Sequence, residues 1–119
     1  MSDPDIHRLN PTDLWSDAVS FNGIACFVEV PESGSGFAEQ TQALLAQAER
    51  TLQTIGSDKS RLMMATIYVT DFSNRAVLNE IWAAWLPAGA APARACARAE
   101  LASPDLLIEI AFTAAVKGG

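Results

Sequence analysis

Basic charge is scarce in this chain. Eight Lys and Arg stand against fourteen Asp and Glu among 119 residues, a formal net charge of −6, whereas a surface that holds phosphate backbones by its field needs the opposite sign. No nucleic-acid partner is expected. Histidine is scarcer still. His7 is the only one and lies in a polar lead-in, which excludes a His-based triad, a His-Cys zinc site and a histidine base, and leaves no metal site to expect. Cysteine occurs twice, as Cys26 and Cys96. Two distant thiols in strand-like stretches are not the framework of a small secreted disulfide domain, and both are read as reduced. No apolar run approaches the roughly 18–20 residues of a bilayer span, so no membrane partner is expected. The acidic start, Met1-Ser2-Asp3-Pro4-Asp5, lacks the basic and apolar regions of an export signal, and the expected location is cytoplasmic.

Apolar side chains are what the chain has in quantity, at 50% hydrophobic against 18% charged. That is too apolar for a disordered segment, and the length suits one domain over 1–119. A domain of this size hides only about two thirds of the surface its unfolded chain exposes. The apolar excess therefore points to surface covered by another subunit.

Residues 1–13, with Pro4 and Pro11, read as an extended lead-in. Two apolar runs, 18–21 and 24–30, flank Asn22-Gly23, the preferred dipeptide of a two-residue hairpin turn. Pro31 ends the second strand. A loop of Glu32-Ser33-Gly34-Ser35-Gly36 leads into a helix whose apolar positions are Phe37, Leu44, Leu45, Ala48, Leu52 and Ile55, with Gly56 as its stop. Gly34-Ser35-Gly36 lacks the Lys of a phosphate-binding loop and reads as loop and helix start. Residues 62–69 predict a buried strand, after which Ser73 can cap a second helix running to Trp85, with Leu78, Ile81, Trp82 and Trp85 as its apolar stripe. Pro87 and Gly89 close that helix. Two last strands, 93–101 and 106–114, surround a short loop holding Ser103-Pro104-Asp105. The order β-β-α-β-α-β-β predicts an α+β single domain, a mixed sheet with two helices on one face.

Alternation in the last two strands is regular. Ala93, Ala95, Ala97, Ala99 and Leu101 share one side, and Arg94, Cys96, Arg98 and Glu100 the other. The alanine row is expected to pack beneath a helix. Leu106, Ile108, Ile110 and Phe112 form the core face of the final strand, with Leu107, Glu109, Ala111 and Thr113 opposite. Arg94, Arg98 and Glu109 are thus expected on the face turned from the helices. If Leu101 faces Leu106 in an antiparallel hairpin, Arg98 falls opposite Glu109 as an ion pair and Arg94 is left free. A guanidinium there offers a rigid fork for a carboxylate, and a nearby Glu can position or deprotonate water. The competing reading is a structural cross-strand ion pair.

Pro92-Ala93-Arg94-Ala95-Cys96 followed by Pro104-Asp105-Leu106-Leu107-Ile108-Glu109-Ile110 resembles the signature of the RidA family, also called YjgF, of imine and enamine deaminases. Trp15-Ser16-Asp17-Ala18-Val19, Val30-Pro31-Glu32, Thr66-Ile67-Tyr68-Val69 with Asp71, and Asn79-Glu80-Ile81-Trp82 resemble its YoaB-like branch. The likeness implies a chorismate-mutase-like fold and a homotrimer whose sheets form a central barrel, with pockets between subunits. It implies that Arg94 binds the carboxylate of a 2-imino or 2-enamino acid such as 2-aminoacrylate, and that Glu109 positions the hydrolytic water. Cys96 and Asn79 match positions near the family pocket. Products are a 2-oxo acid and ammonia, as for a 2-iminobutanoate/2-iminopropanoate-type hydrolase, with no cofactor. Glu29 stands where the family has a small Gly-containing segment, Trp15 stands for the lead-in Tyr, and Leu14 where the closer branch often has Arg. The alternative is a non-catalytic trimeric module that binds a small metabolite or a partner protein in the same clefts.

Overall fold

The computed structural model describes residues 5–117. Six strands form one mixed sheet: β1 (His7–Leu9), β2 (Ala18–Phe21), β3 (Ile24–Glu29), β4 (Leu62–Val69), β5 (Ala93–Arg98) and β6 (Ile108–Ala115). Helices α1 (Phe37–Thr54) and α2 (Arg75–Trp85) supply the second layer. The sheet order is β1-β2-β3-β6-β4-β5, antiparallel except where β4 meets β5. That parallel pair needs a crossover, and α2 is its helix.

The β2–β3 hairpin forms as the sequence predicts. Asn22 and Gly23 take φ of 51° and 79°, the positive values that a twist-matched two-residue turn demands at both central positions. Helix α1 ends on Gly56, at φ 80°, where Ser57 N–H bonds Leu52 O at 2.8 Å and Gly56 N–H bonds Gln53 O at 3.2 Å. These two bonds satisfy carbonyls that the last turn would otherwise orphan.

Four expectations are corrected. The lead-in is not merely extended, because His7–Leu9 adds an edge strand to β2. Ser73 is not the side-chain cap. A short 3-10 turn at Phe72–Asn74 precedes α2, and the Asp71 carboxylate accepts from Ser73 N–H at 2.8 Å. The last two strands end at Arg98 and begin at Ile108, and they do not pair. β4 lies between them, so Arg98 sits beside Val69 and Glu109 beside Tyr68. The Arg98–Glu109 ion pair is therefore absent. Among the described residues, ion pairs form between Lys59 and Glu49 at 3.3 Å and between Lys117 and Asp58 at 2.8 Å.

The face of β5 is corrected as well. Arg94, Cys96 and Arg98 align with Ala65, Ile67 and Val69, which are fully buried under the helices. The alanine row aligns with Met64, Thr66 and Tyr68 on the far face, so it packs beneath no helix. Helix α1 lies over β3 and β6, which leaves Arg94 and Arg98 exposed on the edge strand while Cys96 still packs against the core.

That core is centred on β6. Ile108, Ile110, Phe112 and Ala114 are buried, and the Phe112 ring lies 5.0 Å from Phe27 and 6.5 Å from both Trp82 and Trp85. Aromatic pairs of this kind add about 0.5–1.5 kcal/mol to their area burial. Trp82 and Trp85 belong to the core, not to a stacking platform.

Candidate functional site

The residues singled out by sequence fall at separate places in one chain. Arg94 and Cys96 lie on the helix-side face of edge strand β5. The Arg94 guanidinium is exposed and has no hydrogen-bond or ion-pair partner among the described residues. Glu109 is half-buried on the far face of β6. Arg94 is level with Ala65 and Glu109 with Tyr68 on the intervening β4, so the two lie two strand spacings across and three residues along the sheet, about 14 Å between Cα atoms, and point to opposite sides. The expectation that they share a face is wrong for a single chain.

Trp15 belongs to the other end of the sheet, in the segment between β1 and β2. Its backbone is held by Thr12, whose N–H donates to Trp15 O at 2.7 Å and whose hydroxyl accepts from Trp15 N–H at 3.1 Å. The indole above this turn is 62% exposed, beside Leu14 at 84%. Asn79 is exposed on α2, next to buried Leu78.

Glu29 ends β3 and lies on the helix side, beside buried Ile110. Its carboxylate accepts from the Thr51 hydroxyl at 2.7 Å and from Gln47 Nε2 at 3.3 Å, both from α1. Partial burial raises its pKa above the usual carboxylate value; the two hydrogen bonds pull it back, and the nearby negative charges of Glu32 and Asp17 push the same way as burial. Two strands separate β3 from β5, so Glu29 does not pair with Arg94 of its own chain. Glu29, Asp17, Glu32, Gln47, Arg50 and Thr51 help to line a cleft of about 270 Å³.

Sequence reasoning missed the polar side chains that hold these pieces. Gln40 is buried, and its Nε2 donates to Asp105 O at 2.8 Å while its Oε1 accepts from Leu107 N–H at 2.9 Å. It ties the loop before Glu109 to the first turn of α1. Gln47, also buried, donates to Val30 O at 2.9 Å and accepts from Glu32 N–H at 2.9 Å, which fixes the chain just after Glu29. The signal was present: Gln40, Leu44, Gln47 and Thr51 recur at helical spacing on the inward stripe of α1. A Gln at a core position needs a partner for its amide.

The far face of the sheet is uncovered and apolar. Val28 is 54% exposed and Ile24 37%, and Cys26, Ala93, Ala95 and Ala97 are exposed with them. Among the described residues no cluster of His, Cys, Asp or Glu is arranged to hold a metal ion, and no helix is long and apolar enough to cross a membrane.

Comparison with known proteins places this arrangement. The family model described as Endoribonuclease L-PSP matches residues 6–116. A RutC family protein of Haemophilus ducreyi is 37% identical over 113 residues, covering 93% of this chain and 97% of the relative. The RutC family protein YoaB of Escherichia coli is 39% identical over 112 residues, covering 93% and 98%. Among solved structures, a member of the YjgF protein family from Neisseria meningitidis superimposes with a TM-score of 0.93 at 42% identity, covering 97% of this chain and 98% of that one.

Proposed function

The chain belongs to the RidA/YjgF family, and from that premise we propose that it is a hydrolytic deaminase of 2-imino and 2-enamino acids, such as 2-aminoacrylate, working as a homotrimer in the cytoplasm. The observation that carries the reading is the free guanidinium of Arg94, held on a regular strand, where the resemblance of Pro92-Ala93-Arg94-Ala95-Cys96 implies the family's anchor. A rigid fork without an internal partner suits a substrate carboxylate, which it grips by two parallel charge-assisted bonds.

The chemistry needs no metal or organic cofactor. An enamine first takes a proton at its terminal carbon and becomes the imine. Water then adds to the C=N carbon, its oxygen forming the new C–O bond while the nitrogen gains a proton. Glu109, which faces away from Arg94 within one chain and reaches the cleft from another copy, orients that water and accepts its second proton, which it returns to the nitrogen as the C–N bond breaks. Ammonia leaves and the 2-oxo acid remains.

Trimerisation supplies what one chain lacks. Arg94 and Cys96 sit at one edge of the sheet, while Trp15 and Glu29 sit near the other, so these residues meet in a cleft only when the β5 edge of one copy approaches the β1–β3 end of the next. The apolar far face gives the copies a reason to associate. Asn79, Cys96, Trp15 and Glu29 are assigned to substrate binding and Arg94 and Glu109 to catalysis.

A second reading, a non-catalytic trimeric module for a small metabolite or a partner protein, is favoured by Glu29, a carboxylate where the family has a small segment. An endoribonuclease reading, suggested by the family model's description, has the net charge of −6 against it. The test generates 2-aminoacrylate in situ and follows 2-oxo acid release. Arg94→Ala should lower the rate by about one to two orders of magnitude for each charge-assisted bond lost, and Arg94→Lys should not restore it. Unchanged hydrolysis in Arg94→Ala sinks the anchor role. An inactive wild type that gains activity in Glu29→Gly establishes the module instead, and light scattering of the same protein as a monomer at micromolar concentration removes the intersubunit cleft.

A further inference from the structure

The proposed reaction uses Arg94 and leaves Arg98 without a task. Arg98 lies four residues further along β5 and on the same face. Four strand steps of about 3.3 Å put the two Cα atoms about 13 Å apart. The Arg98 guanidinium is exposed and makes no hydrogen bond or ion pair among the described residues. Asp71 is close enough to feel its charge, but that carboxylate is already engaged by Ser73 N–H.

Arg98 also opens onto a cleft of about 730 Å³, whose walls include Thr70 and, from the loop after β5, Glu100, Leu101, Ser103 and Leu106. That is room for a small organic ligand, since pockets for such molecules run from about 300 to 1,000 Å³. The loop is fixed, not waiting to be ordered. Ala99 N–H bonds Val69 O at 3.0 Å, Leu106 N–H bonds Ser103 O at 3.1 Å, Thr70 N–H bonds Leu107 O at 3.3 Å, and Gln40 clamps Asp105 and Leu107 from below. A cleft built in advance costs a ligand little in ordering. Glu100 is the one carboxylate on its wall and Asp71 is the other acidic group near Arg98, so the Arg98 guanidinium is the point in the cleft that attracts an anion.

We propose that Arg98 is a specificity-determining residue that binds a second carboxylate, and that the substrates this site favours are 2-imino diacids, short imino acids whose side chain ends in an acidic group. The proposal rests on the deaminase reading for its chemistry and adds the substrate class. Two guanidinium forks on one face, with side chains long enough to lean towards each other, bracket a short diacid with one carboxylate on each. Each contact is a charge-assisted bond of about 2.8 Å. A mono-acid engages Arg94 alone and leaves the Arg98 cleft unused.

The experiment measures both hydrolysis and binding. Imines are generated in situ by amino acid oxidases from glutamate or aspartate, and from alanine or leucine for comparison. Calorimetry with 2-oxoglutarate and pyruvate reads affinity without turnover. Wild type should prefer the diacid in both measurements, and Arg98→Ala should lower the diacid-to-mono-acid ratio of kcat/KM and of affinity by about tenfold to a hundredfold. Arg98→Lys, which keeps the charge and loses the fork, should fall between. Circular dichroism melting checks that both variants fold, and the exposed position of Arg98 makes a loss of fold unexpected. Equal affinity of wild type for 2-oxoglutarate and pyruvate, or a diacid preference that survives Arg98→Ala, overturns the proposal. An Arg98-dependent preference for 2-oxoglutarate without hydrolysis of any imine upholds the second-carboxylate site and overturns the deaminase reading alone.

Discussion

Strands β5 and β6 are neighbours in sequence with equally regular alternation, and the structure treats them oppositely. β6 goes to the middle of the sheet and buries Ile108, Ile110, Phe112 and Ala114. β5 goes to the edge, where the residues on the corresponding face are Arg94, Cys96 and Arg98. Alternation divides a strand into two rows but does not say which row faces a helix or which strand lies alongside. Composition carries that information. Ile and Phe in one row call for two flanking strands and a covering layer, whereas Arg in one row and Ala in the other suit an edge, where charge also discourages unwanted pairing.

The largest effect expected of this contrast is on stability. Phe112→Ala in β6 removes the ring that Phe27, Trp82 and Trp85 surround, and should cost about 3–5 kcal/mol. Cys96→Ala in β5 removes one half-buried sulfur from the edge of the same core and should cost less than about 1 kcal/mol. Urea unfolding at one fixed protomer concentration measures both, because association couples to stability. Equal losses would mean that β5 is covered as fully as β6 in the assembled protein.

Next in size is the link between the two strands. The loop over 99–107 takes the chain from the edge across to the centre, and Gln40 holds its far end through Asp105 O and Leu107 N–H. Gln40→Ala leaves these backbone groups without their partner and should cost about 1–3 kcal/mol. Hydrogen exchange sharpens the point: the Leu107 amide should lose protection in the variant, while amides in the β2–β3 hairpin keep theirs. Uniform loss across the sheet would show that Gln40 supports the whole core, not this loop.

How much of this was legible follows from the range of each signal. The Asn22-Gly23 turn, the extent of α1 and its stop at Gly56, and the strand at Leu62–Val69 depend on neighbouring residues, and sequence reading places them correctly. The buried row of β6 was legible for the same reason. Pairing of β5 with β4 was not, because the competing hairpin with β6 satisfies every local rule and loses only to the gain from seating the most apolar strand centrally. The candidate site suffered directly. Arg94 and Glu109 are each legible as residue types able to carry chemistry, but their mutual placement depends on strand order and, in the proposed trimer, on a second copy. His7–Leu9 is not legible in the sequence, because a three-residue strand between polar residues carries too few positions for a pattern.

The smallest effect separates two carboxylates at different places on the chain by the sign of their pH dependence. Glu29 is raised above its ordinary value of 4.5, chiefly by burial, so the folded protein takes up its proton more readily than the unfolded chain does. Its contribution to stability is complete below 4.5 and is lost as pH rises through the folded value. Asp58 runs the other way. It is lowered from 3.8 to about 2, first by its hydrogen bond with Lys117 and then by those from Ser60, so its contribution is present above 3.8 and disappears as pH falls through about 2. Glu29→Gln should therefore remove a shallow decline in stability on the alkaline side of 4.5, worth a fraction of a kcal/mol after solvent screening of a half-exposed group. Asp58→Asn should leave that side alone and flatten the acid side. Urea midpoints taken at intervals from about pH 2 to 7 read both slopes. If Glu29→Gln and wild type run parallel over the whole range, Glu29 carries the same proton affinity folded and unfolded, and its contacts with Thr51 and Gln47 fully offset the cost of burying it.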